Sequence, residues 1–259
     1  MIHPLALVDP EATIGNNVTI DAFAVVEKDV IIGENTHVYS HAVIHDGARI
    51  GKSCRIFPQA VVAGIPQDLK FNGEKTTAEI GDNTTVRECV TVNRGTATKG
   101  KTIVKSNCLL MAYSHIAHDC IINNNVIIGN ATQLAGEVEV DDWAIISGGV
   151  LVHQFSHIGM HVMVQGGSRL GKDIPPYVTV GREPISYAGI NVIGLRRRGF
   201  TNEQIIDIQE MYRVIYQSGL NNSAAVKKLD DDFPDSEEKT NIVEFIRNSA
   251  RGIIRGNMD

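Results

Sequence analysis

Aliphatic side chains return every sixth residue along the first 170 positions of this chain. The series starts Ile2, Val8, Ile14, Ile20, Val26 and Ile32, and closes Val152, Ile158, Val164 and Leu170. Of the 29 positions on this grid, 26 are Ile, Leu or Val; the exceptions are Asp68, Glu74 and Thr98. A helix repeats at about 3.6 residues and a simple strand at 2, so neither accounts for a period of six. A parallel β-helix of hexapeptide repeats does, with the aliphatic residue pointing into the coil. Three hexads would make one triangular coil, so residues 18 apart would stack about 4.8 Å from one another. Gly or Asn often follows the aliphatic residue, as in IGNNVT from Ile14 and IGDNTT from Ile80. These residues are expected to supply the unusual backbone angles of the corners.

Two stretches leave the grid. PQDLKFNGEKTTAE (66–79) and NRGTATKGKT (93–102) carry no apolar face and read as loops projecting from the prism. Such loops either carry function or are tolerated insertions. The period fades after IPPY (174–177), and from Thr201 it becomes helical, with Ile205, Ile208, Met211, Tyr212 and Ile215 on one face. Thr201 and Gln204 form a capping box, and Gly219 suits the position after the helix. Further helices are expected around 222–230 and 236–254, separated by Pro234. The predicted fold is therefore mainly β: a parallel β-helix over 1–190, with a small α-helical C-terminal domain over 191–259 that covers its end.

Composition narrows the function. Residues 1–187 hold 14 Lys and Arg against 19 Asp and Glu, and residues 188–259 hold 10 against 11. Neither part is basic, so nucleic acid is not an expected partner. The four cysteines, Cys54, Cys89, Cys108 and Cys120, form no CxxC pair and suggest no disulfide framework. The start has no signal-peptide pattern and no segment approaches 18 apolar residues, which makes the cytoplasm the expected location.

The densest polar cluster within the regular coil is YSHIAHDC (113–120). His115 and His118 flank the inward Ile116 and could be either satisfied corner groups or reactive ones. Eighteen residues beyond His118 lies Gly136, and eighteen further lies Gln154. An imidazole would then sit one coil from a backbone N–H with no side chain in the way. A general base beside an open backbone donor is the minimal equipment for acyl transfer to a hydroxyl. An ordinary imidazole pKa of about 6.5 suits that role. His153, His157 and His161 are spaced like one helix face, but the hexad grid forbids a helix there. No two of the nine histidines are 18 or 36 residues apart, so stacked imidazoles binding zinc, as in the γ-class carbonic anhydrases, are not expected. Cys108 and Cys120 read as small buried hydrophobes. Arg196, Arg197 and Arg198 form either a solvated linker or a contact for a phosphate or an acidic partner.

The motifs PQDLK (66–70), NRGT (93–96), HIAHDC (115–120), LAGEV (134–138), VHQF (152–155), PPYV (175–178) and GLRRRGF (194–200) run the length of the chain. Together they resemble the UDP-N-acetylglucosamine O-acyltransferase family that opens lipid A synthesis. The resemblance implies a left-handed β-helix assembled as a homotrimer with active sites between neighbouring subunits. It implies transfer of a 3-hydroxyacyl chain from acyl carrier protein to the sugar 3-hydroxyl. His118 would be the general base, Asp119 its orienting partner and the Gly136 N–H the oxyanion donor. Gln67, Asp68 and Lys70 would come from the first loop as substrate contacts, Asp68 and Lys70 at sugar and phosphate. His115, His153 and Gln154 would line the substrate pocket. Asn191, Arg197 and Arg198 would meet the nucleotide, and Gly166 would leave the acyl groove open. The acyl group arrives activated as a thioester, so no metal or organic cofactor is implied. Asn93 and Glu137 depart from the pattern, standing where the family often has His. The alternatives are the sister N-acyltransferase of the same biosynthesis, which carries an extra N-terminal domain, and a non-catalytic β-helix scaffold.

Overall fold

The structure, a computed structural model, describes residues 1–256. Strands mostly two residues long wind through three sheets of nine, eight and ten strands. The first sheet begins with Leu7–Val8, the second with Thr13–Ile14 and the third with Thr19–Ile20, and the chain visits them in that order on every turn. Neighbouring coils pair in parallel, in register and 18 residues apart, as Val26 does with Ile44 and Ile116 with Leu134. The grid aliphatics fill the axis of the prism: Ile20, Ile32, Ile44, Ile56, Leu110, Ile116, Ile122, Ile128, Leu134 and Ile146 are all fully buried. Each such burial contributes about 1.5–3 kcal/mol.

The two loops are whole-hexad insertions. Val62 pairs with Val92, an offset of 30, and Val92 with Ile116, an offset of 24. The first offset exceeds 18 by two hexads and the second by one. Asp68 and Glu74 fall in the first insertion and Thr98 in the second, which is why the grid resumes in phase after each. Both insertions leave the prism at the edge between the first and second sheets, on consecutive coils.

The corners work differently from the sequence expectation. The left-handed residue stands three places after the aliphatic one, as at Asn17, Asn35, Asn83, Asn107 and Asn125. Most glycines directly after the aliphatic residue are required by close approach instead. A Cβ on Gly15 would lie 2.7 Å from the Glu34 nitrogen, and one on Gly81 would lie 2.6 Å from the Lys105 carbonyl carbon.

The last coil ends in a strand, Val178–Gly181, that turns back through an antiparallel strand, Ser186–Ile190. Among the described residues four helices follow: α1 (Val192–Arg197), α2 (Asn202–Gln217), α3 (Asn222–Asp232) and α4 (Glu237–Asn248). Each starts on a side-chain cap, from Asn191, Thr201, Asn221 and Ser236, and the Thr201–Gln204 capping box is present. The tail docks on the prism through hydrogen bonds at buried and half-buried groups. Tyr212 Oη donates to the Pro176 carbonyl at 2.6 Å, and Ser249 Oγ donates to Asp173 Oδ2 at 2.6 Å. The α4 helix stops at Asn248, short of the expected 254, because the chain then bends so that Ile253 pairs with Asp173 and the Ile254 N–H reaches the Asp173 carbonyl.

Candidate active site

The corner His118–Asp119 lies on the same prism edge as both loops, in the coil that follows them. Gly136 and Gln154 occupy the equivalent corner place in the next two coils; the Glu137 N–H donates to the His118 carbonyl and the Phe155 N–H to that of Gly136. The imidazole packs against Gly136. A Cβ there would fall 2.5 Å from His118 Cε1 and Nε2. The Gly136 N–H has no hydrogen-bond partner among the described residues.

His118 is 8% exposed and Asp119 is fully buried. His118 Nδ1 is 2.9 Å from Asp119 Oδ2, while Nε2 is 3.8 Å from Asp68 Oδ2 of the first loop. A carboxylate on Nδ1 favours the tautomer with the proton there and leaves the lone pair on Nε2. Asp119 is itself held by the second loop, whose Thr96 and Lys99 the sequence did not single out. The only signal was the NRGT motif. Thr96 Oγ1 donates to Oδ2 at 2.6 Å, the Thr96 N–H donates to Oδ1 at 3.0 Å, and the Lys99 N–H donates to Oδ1 at 3.3 Å.

His115 stands on the adjoining strand with Nδ1 2.7 Å from Thr91 Oγ1. Burial, and then the nearby His118, hold its pKa below the ordinary value and favour the neutral ring. His153 is exposed near the same edge, its Nδ1 2.9 Å from the Gln154 carbonyl, and Arg251 from the tail reaches that carbonyl at 3.3 Å. Gln67 and Lys70 are exposed on the first loop. Asn93 is buried beneath the site and donates to the Ile65 carbonyl at 3.1 Å, tying the base of the first loop to the coil. Glu137 is a half-buried corner residue with positive φ.

The remaining expected site residues lie on other edges of the same chain. Arg198, half-buried, stands at the edge between the second and third sheets. It donates to the Trp143 carbonyl at 2.9 Å, over a stack formed by Trp143, His161 and Tyr177. Asn191 is buried there; it accepts from the Gly194 N–H at 3.1 Å and donates to the His161 carbonyl at 2.9 Å. Arg197 is exposed at the end of α1. Gly166 is exposed beside Gly167, at the edge between the third and first sheets, where a Cβ would meet the Gly148 carbonyl at 3.1 Å. One chain therefore brings together His118, Asp119, Gly136, Asp68 and His115, and keeps Gly166, Asn191, Arg197 and Arg198 apart from them.

Burial raises the Cys108 thiol to about 11 and the Cys120 thiol to about 12, so neither serves as a nucleophile. Glu139, Asp141 and His157 each place one ligand-type atom within 4.8 Å of the others on the face of the second sheet. His157 pairs with Asp141 at 3.0 Å and packs against Phe245 of α4. Burial alone would lower the His157 pKa, but the Asp141 hydrogen bond and the charges of Asp141, Glu139 and Asp173 outweigh it and raise the value.

Hexapeptide-repeat profiles match residues 11–46 and 101–136, and a profile described as "Udp N-acetylglucosamine O-acyltransferase; Domain 2" matches 173–254. An acyl-[acyl-carrier-protein]–UDP-N-acetylglucosamine O-acyltransferase of Pseudomonas syringae pv. syringae is 47% identical over 98% of this chain and 99% of its own length. The chain belongs to the UDP-N-acetylglucosamine O-acyltransferase family. The crystal structure of a family member from Bacteroides fragilis superposes with a TM-score of 0.96 at 57% identity, covering 98% of this chain and all of that one. The Francisella novicida enzyme follows at a TM-score of 0.97 and 40% identity, over all of this chain and 95% of its own. The fold is thus the left-handed parallel β-helix of this acyltransferase family. Among the described residues no helix is long and apolar enough to cross a membrane.

Proposed function

We propose that this chain transfers a 3-hydroxyacyl group from acyl carrier protein to the 3-hydroxyl of UDP-N-acetylglucosamine, the first step of lipid A synthesis. The observation that carries this reading is the His118–Asp119 pair set over the Gly136 N–H, in a chain that relatives of that activity match end to end. His118 Nε2 takes the proton from the sugar hydroxyl, whose oxygen attacks the thioester carbonyl. The Gly136 N–H stabilises the oxyanion of the tetrahedral intermediate. The C–S bond then breaks, and the imidazolium returns its proton to the leaving thiolate of the carrier. The thioester is already activated, so the step needs neither a metal nor an organic cofactor.

Gln67, Asp68 and Lys70 approach the sugar nucleotide from the first loop, and His115, His153 and Gln154 complete the pocket wall along the same edge. Asn191, Arg197 and Arg198 belong to the nucleotide subsite and Gly166 to the acyl groove. Because these stand on other edges, a complete site is formed between chains, which supports a homotrimer. We assign the reaction to the cytoplasm and treat 1–190 and 191–259 as catalytic and capping domains.

The test uses radiolabelled UDP-N-acetylglucosamine with a panel of 3-hydroxyacyl carrier thioesters. The expected product is the O-acylated sugar nucleotide. Acylation only of a UDP-3-O-acyl-glucosamine amine would assign the chain to the sister N-acyltransferase instead, and no product with either acceptor would favour a scaffold.

A further inference from the structure

We propose that the second loop is a carboxylate clasp, with Thr96 and Lys99 as positioning residues that fix Asp119 and, through it, the proton-accepting tautomer of His118. This inference rests on the proposed acyl transfer for its purpose, but its geometry stands independently. The loop is one hexad long and closes tightly. Gly95 packs so near the Lys101 backbone that a Cβ has no room, and the Gly100 N–H donates to the Thr96 carbonyl at 2.8 Å. That closure turns the Thr96 N–H, the Thr96 hydroxyl and the Lys99 N–H inward onto one carboxylate. From the other side, the Asp119 N–H donates to Thr102 Oγ1 at 2.8 Å, and Lys99 Nζ donates to the Asp119 carbonyl at 3.3 Å.

Asp119 is fully buried and stands at a left-handed corner, φ 60°. A buried carboxylate is tolerated when successive backbone donors and a hydroxyl satisfy it. Toward the loop both of its oxygens act only as acceptors, Oδ1 from two N–H groups and Oδ2 from the Thr96 hydroxyl. The proton in the bond to His118 must then lie on Nδ1, and Nε2 is left as the base. The Thr96 hydroxyl and His118 Nδ1 share the same oxygen, Oδ2, at 2.6 and 2.9 Å. Thr96 therefore sets both the position and the rotation of the oxygen that orients the ring. A plain corner, such as Asn107 or Asn125, carries no comparable loop, so the insertion is a local device rather than a requirement of the coil.

The experiment compares Thr96→Val and Thr96→Ser with the parent chain. Valine keeps the shape and the backbone N–H but deletes the hydroxyl; serine restores it. We expect Thr96→Val to lower kcat roughly 10–100-fold, the range seen when a partner orienting a metal-bound imidazole is removed. KM for the sugar nucleotide should stay near the parent value, and Thr96→Ser should stay near parental kcat. The spectroscopic readout is ¹⁵N chemical shifts of histidine-labelled protein above neutral pH, with His118 assigned by its disappearance in His118→Ala. The parent should show a single Nδ1–H tautomer and Thr96→Val a mixture. A parental kcat and an unmixed Nδ1–H tautomer in folded Thr96→Val would overturn the clasp. If Thr96→Val does not fold, an Nε2–H tautomer of His118 in the parent chain would overturn it equally. The tautomer is read without turnover, so a parent chain that shows Nδ1–H yet acylates neither acceptor supports the clasp and removes the proposed reaction.

Discussion

At the scale of single residues, His118 and Asp119 differ in what their loss should do. His118 lies at a corner, off the aliphatic axis, and its ring covers Gly136 rather than filling the core. His118→Ala should lower kcat by about 10²–10⁴-fold, the usual contribution of a positioned base, with an unfolding midpoint close to the parent's. Asp119→Ala would do more than misorient the base. It leaves the buried Thr96 N–H and hydroxyl without a partner, at about 1–3 kcal/mol for each orphaned group. Urea titrations of both variants beside kcat should show a stability loss for Asp119→Ala alone; equal midpoints would contradict the buried carboxylate's structural role. Gly136→Ala should abolish turnover for a steric reason, since its Cβ would fall 2.5 Å from His118 Cε1 and Nε2. Its diagnostic is chemical access. A carbethoxylating reagent should reach His118 faster in Gly136→Ala, where the ring is pushed off its seat, and an unchanged rate would mean that the ring has not moved.

Among the secondary-structure elements, the tail is joined to the prism by an aromatic stack. Trp143, His161 and Tyr177 occupy the left-handed corner place in successive coils, where most lower coils of that edge carry Asn. Phe200 meets His161 edge-on at 5.1 Å, and Arg198 Nη1 lies 3.4 Å from His161 Nδ1. Burial first, and the Arg198 charge second, hold the His161 pKa down to about 4, against an ordinary value of 6.5. The folded state therefore keeps this ring neutral in a range where the unfolded chain binds a proton. Its penalty is absent above about pH 6.5 and grows as pH falls from 6.5 toward 4. His157 works in the opposite direction: its raised pKa adds stability at low pH that is lost as pH rises through the folded value. His161→Phe should keep the stack and lose less stability than the parent between pH 7.5 and 5 in urea titrations. Equal losses would show that the ring does not titrate as described.

For the molecule as a whole, the separation of His118 from Arg197 and Arg198 onto different prism edges predicts that neither edge works alone. Light scattering should give a trimer, and a clean monomer at micromolar concentration would defeat the shared site. Subunit mixing is sharper. His118→Ala and the double variant Arg197→Ala, Arg198→Ala should each be weak when assayed at low sugar-nucleotide concentration. In trimers mixed at equal ratio, a site with both edges intact forms with probability one half times one half. About a quarter of parental activity should return, as expected for a closed ring of identical interfaces. No recovery in verified mixed trimers would mean that the two groups serve the same chain or different functions.

The sequence by itself determined the coil, the phase of its core and the two places where the coil is interrupted. A period of six over 170 residues leaves the backbone one arrangement, because each aliphatic residue must face the same axis. It also determined the vertical stacking of His118, Gly136 and Gln154, since register in a β-helix is arithmetic. The capping box at Thr201 was legible for the same reason: its bonds span only three residues. Short-range pattern did not suffice where partners are distant in the chain. The α1 helix of six residues was too short to show a period, and α4 ends early because Asp173, far back in the chain, recruits Ile253 and Ile254. The glycines after the aliphatic positions suggest a conformational need, but Gly15, Gly33, Gly81, Gly129 and Gly159 answer to the backbone of the next coil, a neighbour no local rule sees. Tertiary structure alone decided that the one-hexad loop turns its donors onto Asp119, and that Asp68 swings to within 3.8 Å of His118. The repeat fixes where each loop leaves the prism, but where its side chains arrive depends on closure against buried groups that the loop's own sequence does not contain.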